Sequence, residues 1–161
     1  MTEKIEPLER AVRHFIWSII EIHSQLEEIH KNWAQLLGIT EPQFLILMAI
    51  DELDVGRGAS GIAVANKLRI HPAFVTNQTK KLEAMEYLAR APSLDDGRFI
   101  EMSLTQKARA EIGKLSIKRQ ALNATMFDGL DEASIDYLNK RLGSIAKSSR
   151  LASQKLTIGA L

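Results

Sequence analysis

The sequence predicts a mainly α-helical chain with one small β-hairpin, and three observations carry that expectation. Apolar residues recur at alternating spacings of three and four near both ends of the chain. Between them lie two short helical stretches joined by a tight turn, the second opened by a proline. A run of alternating residues then doubles back around Asp95-Asp96-Gly97-Arg98. Two short helices followed by a hairpin make a winged helix-turn-helix, with the hairpin as the wing. The expected organisation is a winged helix-turn-helix domain over residues 39–104 and a helical dimerisation region built from both termini, 1–38 and 105–161.

The first helix is expected over residues 7–37, because Ile5, Leu8, Val12, Phe15, Ile19, Ile22, Leu26, Ile29, Trp33 and Leu36 form an unbroken heptad seam. Pro7 suits its first turn and Gly38 the position just past its end. A second helix over 41–52 is announced by Thr40 with Gln43, a capping box, and by Ile39 with Phe44, a hydrophobic staple. The segment "DVGRGAS" reads as a loop. Ser60 caps a short helix over 61–68, and Pro72 opens the next, which runs to about Met85. Residues 87–91 and 99–104 alternate and form the hairpin, with its tip at 94–98. Thr105 caps a fifth helix expected to reach about Phe127. A sixth, over 132–155, again shows heptad spacing: Ile135, Leu138, Leu142, Ile145. A chain of 161 residues has little material to cover two such seams, so a homodimer is expected.

Composition narrows the function classes. Lys plus Arg number 21 against 20 Asp plus Glu, so no global excess of charge advertises a partner. The distribution is uneven: residues 61–92 carry a net +3, and residues 1–30 a net −3. There is no cysteine, hence no disulfide framework, thiolate nucleophile or thiolate zinc site. No apolar run reaches the roughly 18 residues that a membrane span needs, and the charged start is unlike a signal peptide. A cytoplasmic protein without a membrane partner is the expectation. The four histidines show no nucleophile–base arrangement and no glycine-rich phosphate loop occurs, so neither an enzyme nor a cofactor site is expected.

On the fourth helix, Val75, Thr79 and Leu82 fall on one side and Ala73, Thr76, Asn77, Lys80 and Lys81 on the other. Short side chains allow close approach to a major groove, an amide can read adenine, and lysines suit phosphates. Arg98 on the hairpin tip can enter a minor groove, and Asp96 two residues away can hold its guanidinium through paired hydrogen bonds. Ser60 at the start of the third helix and Arg90 on the wing complete the set expected to face double-stranded DNA.

The segments "ITEPQFLIL", "LRIHPAFVTNQTKKLEAMEYLAR", "DDGR" and "MSLTQKA", in this order and spacing, resemble the MarR (multiple antibiotic resistance regulator) family of bacterial repressors. The resemblance covers nearly the whole chain, and its most specific element is Asp96-Gly97-Arg98 followed by Leu104-Thr105. It implies a homodimer whose terminal helices interlock, a palindromic DNA operator, and release by small aromatic acids or their coenzyme A thioesters, or by zinc or oxidation in a few members. Two positions depart from the family pattern. Glu86 stands where a glycine ends the recognition helix, and must either accept a left-handed backbone or end the helix differently. Ala108 replaces a second glycine, which only favours helix.

A second stripe on the first helix runs from Ile16 and Ile20 to His23, Glu27 and His30, and Phe44 and Met48 lie one turn apart on the second helix. Together these five polar and apolar residues, His23, Glu27, His30, Phe44 and Met48, are the expected wall of an effector pocket. An alternative is zinc held by His23, Glu27 and His30. Another is a winged helix used for protein contacts alone.

Overall fold

The computed structural model describes residues 6–159; Ile5, at the head of the expected seam, lies outside them. The elements are α1 (Pro7–Leu36), α2 (Glu41–Leu53), β1 (Ala59–Ser60), α3 (Gly61–Leu68), α4 (Pro72–Ala84), β2 (Leu88–Pro92), β3 (Ile100–Leu104), α5 (Gln106–Lys114), α6 (Ser116–Met126) and α7 (Glu132–Thr157). They fall into two compact units that divide between Ser116 and Ile117.

In the first unit everything packs on α2. Its sequence is apolar on nearly every side, so Ile46, Leu47 and Ile50 have no exposed surface at all. The C-terminal end of α1, α3, α4 and β3 all contact it. The capping box forms as its sequence requires: the Thr40 N–H donates to Gln43 Oε1 at 3.0 Å. Gln43, itself buried, donates from Nε2 to Gln78 Oε1 at 3.2 Å and so ties α2 to α4.

The sheet has the order β1-β3-β2 and is antiparallel throughout. Register pairs Leu88 with Leu104 and Arg90 with Met102, which turns Leu88, Met102 and Leu104 into the core. The two-residue strand β1 is an addition to the expected hairpin. It is too short to show alternation, and it exists because Ala59 and Ser60 pair with Met102 and Glu101.

The loop between α2 and β1 is held by one carboxylate. Asp54 Oδ1 accepts the N–H groups of Gly56 and Gly58, both at 2.8 Å, and Asp54 Oδ2 lies 3.6 Å from the Arg109 guanidinium. These donors, that of Gly58 foremost, hold the carboxyl below its ordinary pKa, against the opposing effect of burial. Gly58 has φ +90, and a Cβ there would stand 3.0 Å from Glu101 Cβ, so the loop lies tight against β3.

Helix ends explain how the wing leaves α4. Glu86 has φ +62, the left-handed conformation. Its N–H reaches the Glu83 carbonyl and that of Tyr87 the Leu82 carbonyl, both at 2.9 Å, which is a Schellman motif built without glycine. The Glu86 carbonyl accepts from Thr105 Oγ1 at 2.7 Å, and Lys107 Nζ donates to the Met85 carbonyl at 2.9 Å. Tyr87 is buried and donates from its hydroxyl to the Leu37 carbonyl at 2.9 Å, joining the wing's root to the end of α1.

The second unit contains α6 and α7, which carry no buried residue. The single helix expected over residues 105–127 is two, α5 and α6. The Leu115 N–H bonds to the Ile112 carbonyl, three residues back, at 3.1 Å, and Gly113 is the weakest helix former in that turn. Asp131 caps α7 by accepting the Ser134 N–H at 2.9 Å.

Two measurements check this account. Glu86→Gly should raise stability by about 0.5–1 kcal/mol, read from the urea midpoint, because glycine removes the left-handed strain at little other cost. Asp54 has a folded pKa below its unfolded one. Its ionised form therefore contributes stability above the unfolded value near 4, and that contribution is lost as pH falls from there through the lower folded value. Between about pH 5 and 3 the urea midpoint of the wild type should fall more steeply than that of Asp54→Asn.

Candidate nucleic-acid interface

The exposed side of α4 is built by what the other side buries. Val75, Thr79 and Leu82 turn into the core, with at most 1% of their surface exposed, and leave Ala73, Thr76, Asn77, Lys80 and Lys81 in solvent. His71 caps the helix, its Nδ1 accepting the Ala73 N–H at 3.2 Å, so this imidazole is a cap rather than a free side chain. The Thr76 hydroxyl donates to the Pro72 carbonyl at 3.1 Å, which fixes its rotamer and leaves its lone pairs outward. Among the described residues Lys80 and Lys81 enter no ion pair.

The wing tip is held by its own side chains. Arg98 donates from Nε to Asp96 Oδ1 at 3.0 Å and from one terminal nitrogen to Asp96 Oδ2 at 2.8 Å, and its backbone N–H also reaches Asp96 Oδ1 at 3.1 Å. The pairing holds the carboxyl of Asp96 below its ordinary pKa and the guanidinium above its own. Arg98 is the most outward group of the tip, with 88% of its side chain exposed against 33% for Asp96. The aspartate therefore stands behind the arginine and aims it. The turn closes through the Ser93 N–H to the Phe99 carbonyl and the Phe99 N–H to the Asp96 carbonyl.

Between α4 and the wing lies a cleft of about 500 Å³, lined among others by Ser60, Thr76, Arg90, Asp96, Arg98 and Phe99. It brings five of the nine expected DNA-facing residues to one concavity; Ala73, Asn77, Lys80 and Lys81 continue the exposed face of α4 beside it. Arg90 is turned partly back, its guanidinium 3.7 Å from Glu83 of α4. Ser60 caps α3 by accepting the Ala63 N–H at 3.2 Å, which occupies its oxygen in holding the helix. Sequence reading passed over Arg57. It lies in the loop after α2, 3.5 Å from Asp95 of the wing tip, and the glycines either side of it gave no sign of what it faces.

The five expected effector residues sit apart from this cleft, three along α1 and two on α2. The His30 ring lies 5.9 Å from that of Phe44, tilted by 39°. Burial keeps the His30 imidazole below its ordinary pKa, with His23 adding to the shift and Glu41 opposing it. Phe44 is buried, Met48 half-buried and His23 exposed. Glu27 is taken by Lys31, 2.9 Å away. Among the described residues no group of three His, Asp or Glu is placed to hold a metal ion.

Residues 39–100 match the MarR family model. A Bacillus subtilis (strain 168) protein named uncharacterized HTH-type transcriptional regulator YhbI is 29% identical over 135 residues, 83% of this chain and 85% of its own. Two solved structures share the fold. CouR from Rhodococcus jostii RHA1, bound to p-coumaroyl-CoA, has a TM-score of 0.71 at 16% identity over 82% of this chain and 91% of its own. MepR from S. aureus, in complex with DNA, has a TM-score of 0.69 at 16% identity over 83% of this chain and 95% of its own.

Proposed function

We propose that this chain, a MarR-family transcriptional regulator and not an enzyme, binds a palindromic operator as a homodimer and leaves it when a small aromatic acid or its coenzyme A thioester binds. One observation carries the DNA reading furthest. An arginine almost wholly exposed, and aimed by a carboxylate behind it, stands across a cleft from a helix face of small, amide and lysine side chains. An exposed ion pair contributes little to stability, so this arrangement is better explained by what it presents than by what it holds together.

Homodimerisation is supported by the apolar surface that one chain leaves wet. Leu8, Val12, Phe15, Ile19 and Ile22 on α1, and Leu138, Leu142 and Ile145 on α7, are each at least 39% exposed. Two helical seams of this length bury well over about 2,000 Å² when paired, an obligate rather than a transient interface. The domain reading follows: residues 39–104 meet DNA, and 1–38 with 105–161 hold the dimer. No single helix among the described residues is long and apolar enough to cross a membrane.

Sedimentation with a labelled operator duplex tests both parts. The free protein should carry the mass of two chains at micromolar concentration. Arg98→Ala should weaken binding at least about tenfold, roughly 1.4 kcal/mol, and Asp96→Ala less, because it removes only the aim. Asn77→Ala should cost about 1–3 kcal/mol at one base pair per half-site and relax sequence choice there. Lys80→Ala or Lys81→Ala should weaken all sequences alike and reduce the salt slope by about 1. Operator binding by Arg98→Ala equal to the wild type's would remove the wing from the reading.

The effector is assigned to the place where His30 meets Phe44. That contact joins a half-buried imidazole, its pKa lowered by burial, to the apolar ring of Phe44, with Met48 one turn further along α2, which suits a flat aromatic group with one polar end. The p-coumaroyl-CoA held by a protein of like fold favours the same ligand class. A ligand wedged there shifts α1 against α2 and alters the spacing of the two recognition helices, which must meet half-sites about 34 Å apart. A preference of about 3 kcal/mol for the DNA-incompetent state releases most operators. In an operator titration with aromatic acids and acyl thioesters, Met48→Trp should raise the releasing concentration at least about tenfold by adding bulk beside Phe44. Release of both proteins at one concentration would place the pocket elsewhere.

A further inference from the structure

The wing tip carries a charge problem. Residues 94–98 hold two aspartates and one arginine. The arginine and Asp96 neutralise one another in a tight pair. Asp95 is left with 78% of its side chain exposed, on the element that approaches a polyanion. A carboxylate there is repelled by phosphates, and the few ångströms between wing and backbone lie well inside the roughly 10 Å over which salt at 0.1 M leaves charges unscreened. Its only ion pair among the described residues comes from another element: the Arg57 guanidinium lies 3.5 Å from Asp95 Oδ2.

Arg57 is brought there by a rigid loop. Its neighbours Gly56 and Gly58 both donate backbone N–H groups at 2.8 Å to the carboxylate of Asp54, so the turn is pinned on either side of it. Gly58 lies against β3, where a Cβ would stand 3.0 Å from Glu101 Cβ and 3.2 Å from Ser103 Oγ, tighter than ordinary contact. The loop and the wing therefore move as one piece, and a side chain projecting between those glycines is carried to the tip. An exposed pair of this kind adds little to the stability of the fold. Its consequence is electrostatic: the wing is presented to DNA without a bare negative charge.

We propose that the loop around Arg57 is a third element of the DNA interface, beside α4 and the wing, and that Arg57 is a positioning residue acting through Asp95: it cancels the carboxylate that the tip would otherwise carry toward the phosphates. The assignment rests on the reading of α4 and the wing as DNA-facing. Phosphate repulsion is independent of sequence, so Arg57 sets affinity and its salt dependence and leaves base preference alone.

The test is a charge cycle on the full chain with a labelled mixed-sequence duplex of about 30 base pairs, long enough for two half-sites. Arg57→Ala leaves the tip one charge more negative. It should weaken binding about three- to tenfold near 0.1 M salt and reduce the slope of log K against log salt by about 0.9 for each charge lost. Asp95→Asn should do the opposite, tightening binding and steepening the slope. The double variant restores the wild-type charge and should return both quantities to within about twofold of wild type. Both positions are exposed, so the urea midpoint should not move in any of the three, and a purely structural role for Arg57 would not respond to salt. Wild-type binding by Arg57→Ala, or a double variant as weak as Arg57→Ala, overturns the proposal and leaves the DNA reading standing. A wild-type protein with no salt-dependent affinity for the duplex overturns both.

Discussion

The buried helix α2 is the constraint on which the rest depends. With Ile46, Leu47 and Ile50 wholly covered, it cannot sit at a surface, and α1, α3, α4 and β3 close around it. Its two ends then do different work. At the first, the capping box places Phe44 against His30 of α1. At the other, Asp54 follows its last turn and gathers the loop glycines, Arg109 of α5 and, through the loop, the wing. Core helices are close-packed and do not absorb displacements locally. A change at Phe44 is thus felt along the same rod that supports the loop around Arg57.

Two helices end in left-handed residues that are not glycine, Arg69 after α3 and Glu86 after α4. Both stand at turns that set the direction of the next element, α4 in one case and β2 in the other. The strain at each is about 1 kcal/mol, and it persists only where neighbours over-determine the backbone. At Glu86 those neighbours are named: Thr105 and Lys107 bond the last carbonyls, and Tyr87 anchors the next residue to α1. The root of the wing is therefore fixed from three elements, although its own residue type opposes the conformation.

What the sequence made legible follows from which forces are local. Caps and prolines placed α2, α3 and α4 to within a residue or two, because Thr40 with Gln43, Ser60 and Pro72 act on their own turns. The outward face of α4 followed from period alone. Three things were not local. Strand β1 exists only by pairing with β3. The break at Leu115 was hidden by apolar spacing that continues across it, though Gly113 was its one sign. Arg57 sits in a segment that reads as plain loop, and its relation to Asp95 spans 38 positions of sequence. The Asp96–Arg98 pair was readable because two residues of one turn cannot avoid each other.

The near-neutral charge of the whole chain gives these local arrangements their weight. A net +1 provides no broad attraction to DNA, so affinity has to come from a few groups in the right places. On the interface proposed above, Asp96 is paired by Arg98, Asp95 by Arg57 and Glu83 by Arg90, an arrangement sensitive to geometry. It is also easily undone, since no reservoir of non-specific attraction compensates when one group moves. That sensitivity fits the release proposed above. A protein held by bulk charge would stay on DNA through small changes of shape, whereas one held by an aimed arginine and a correctly spaced helix pair responds to a shift of an ångström or two.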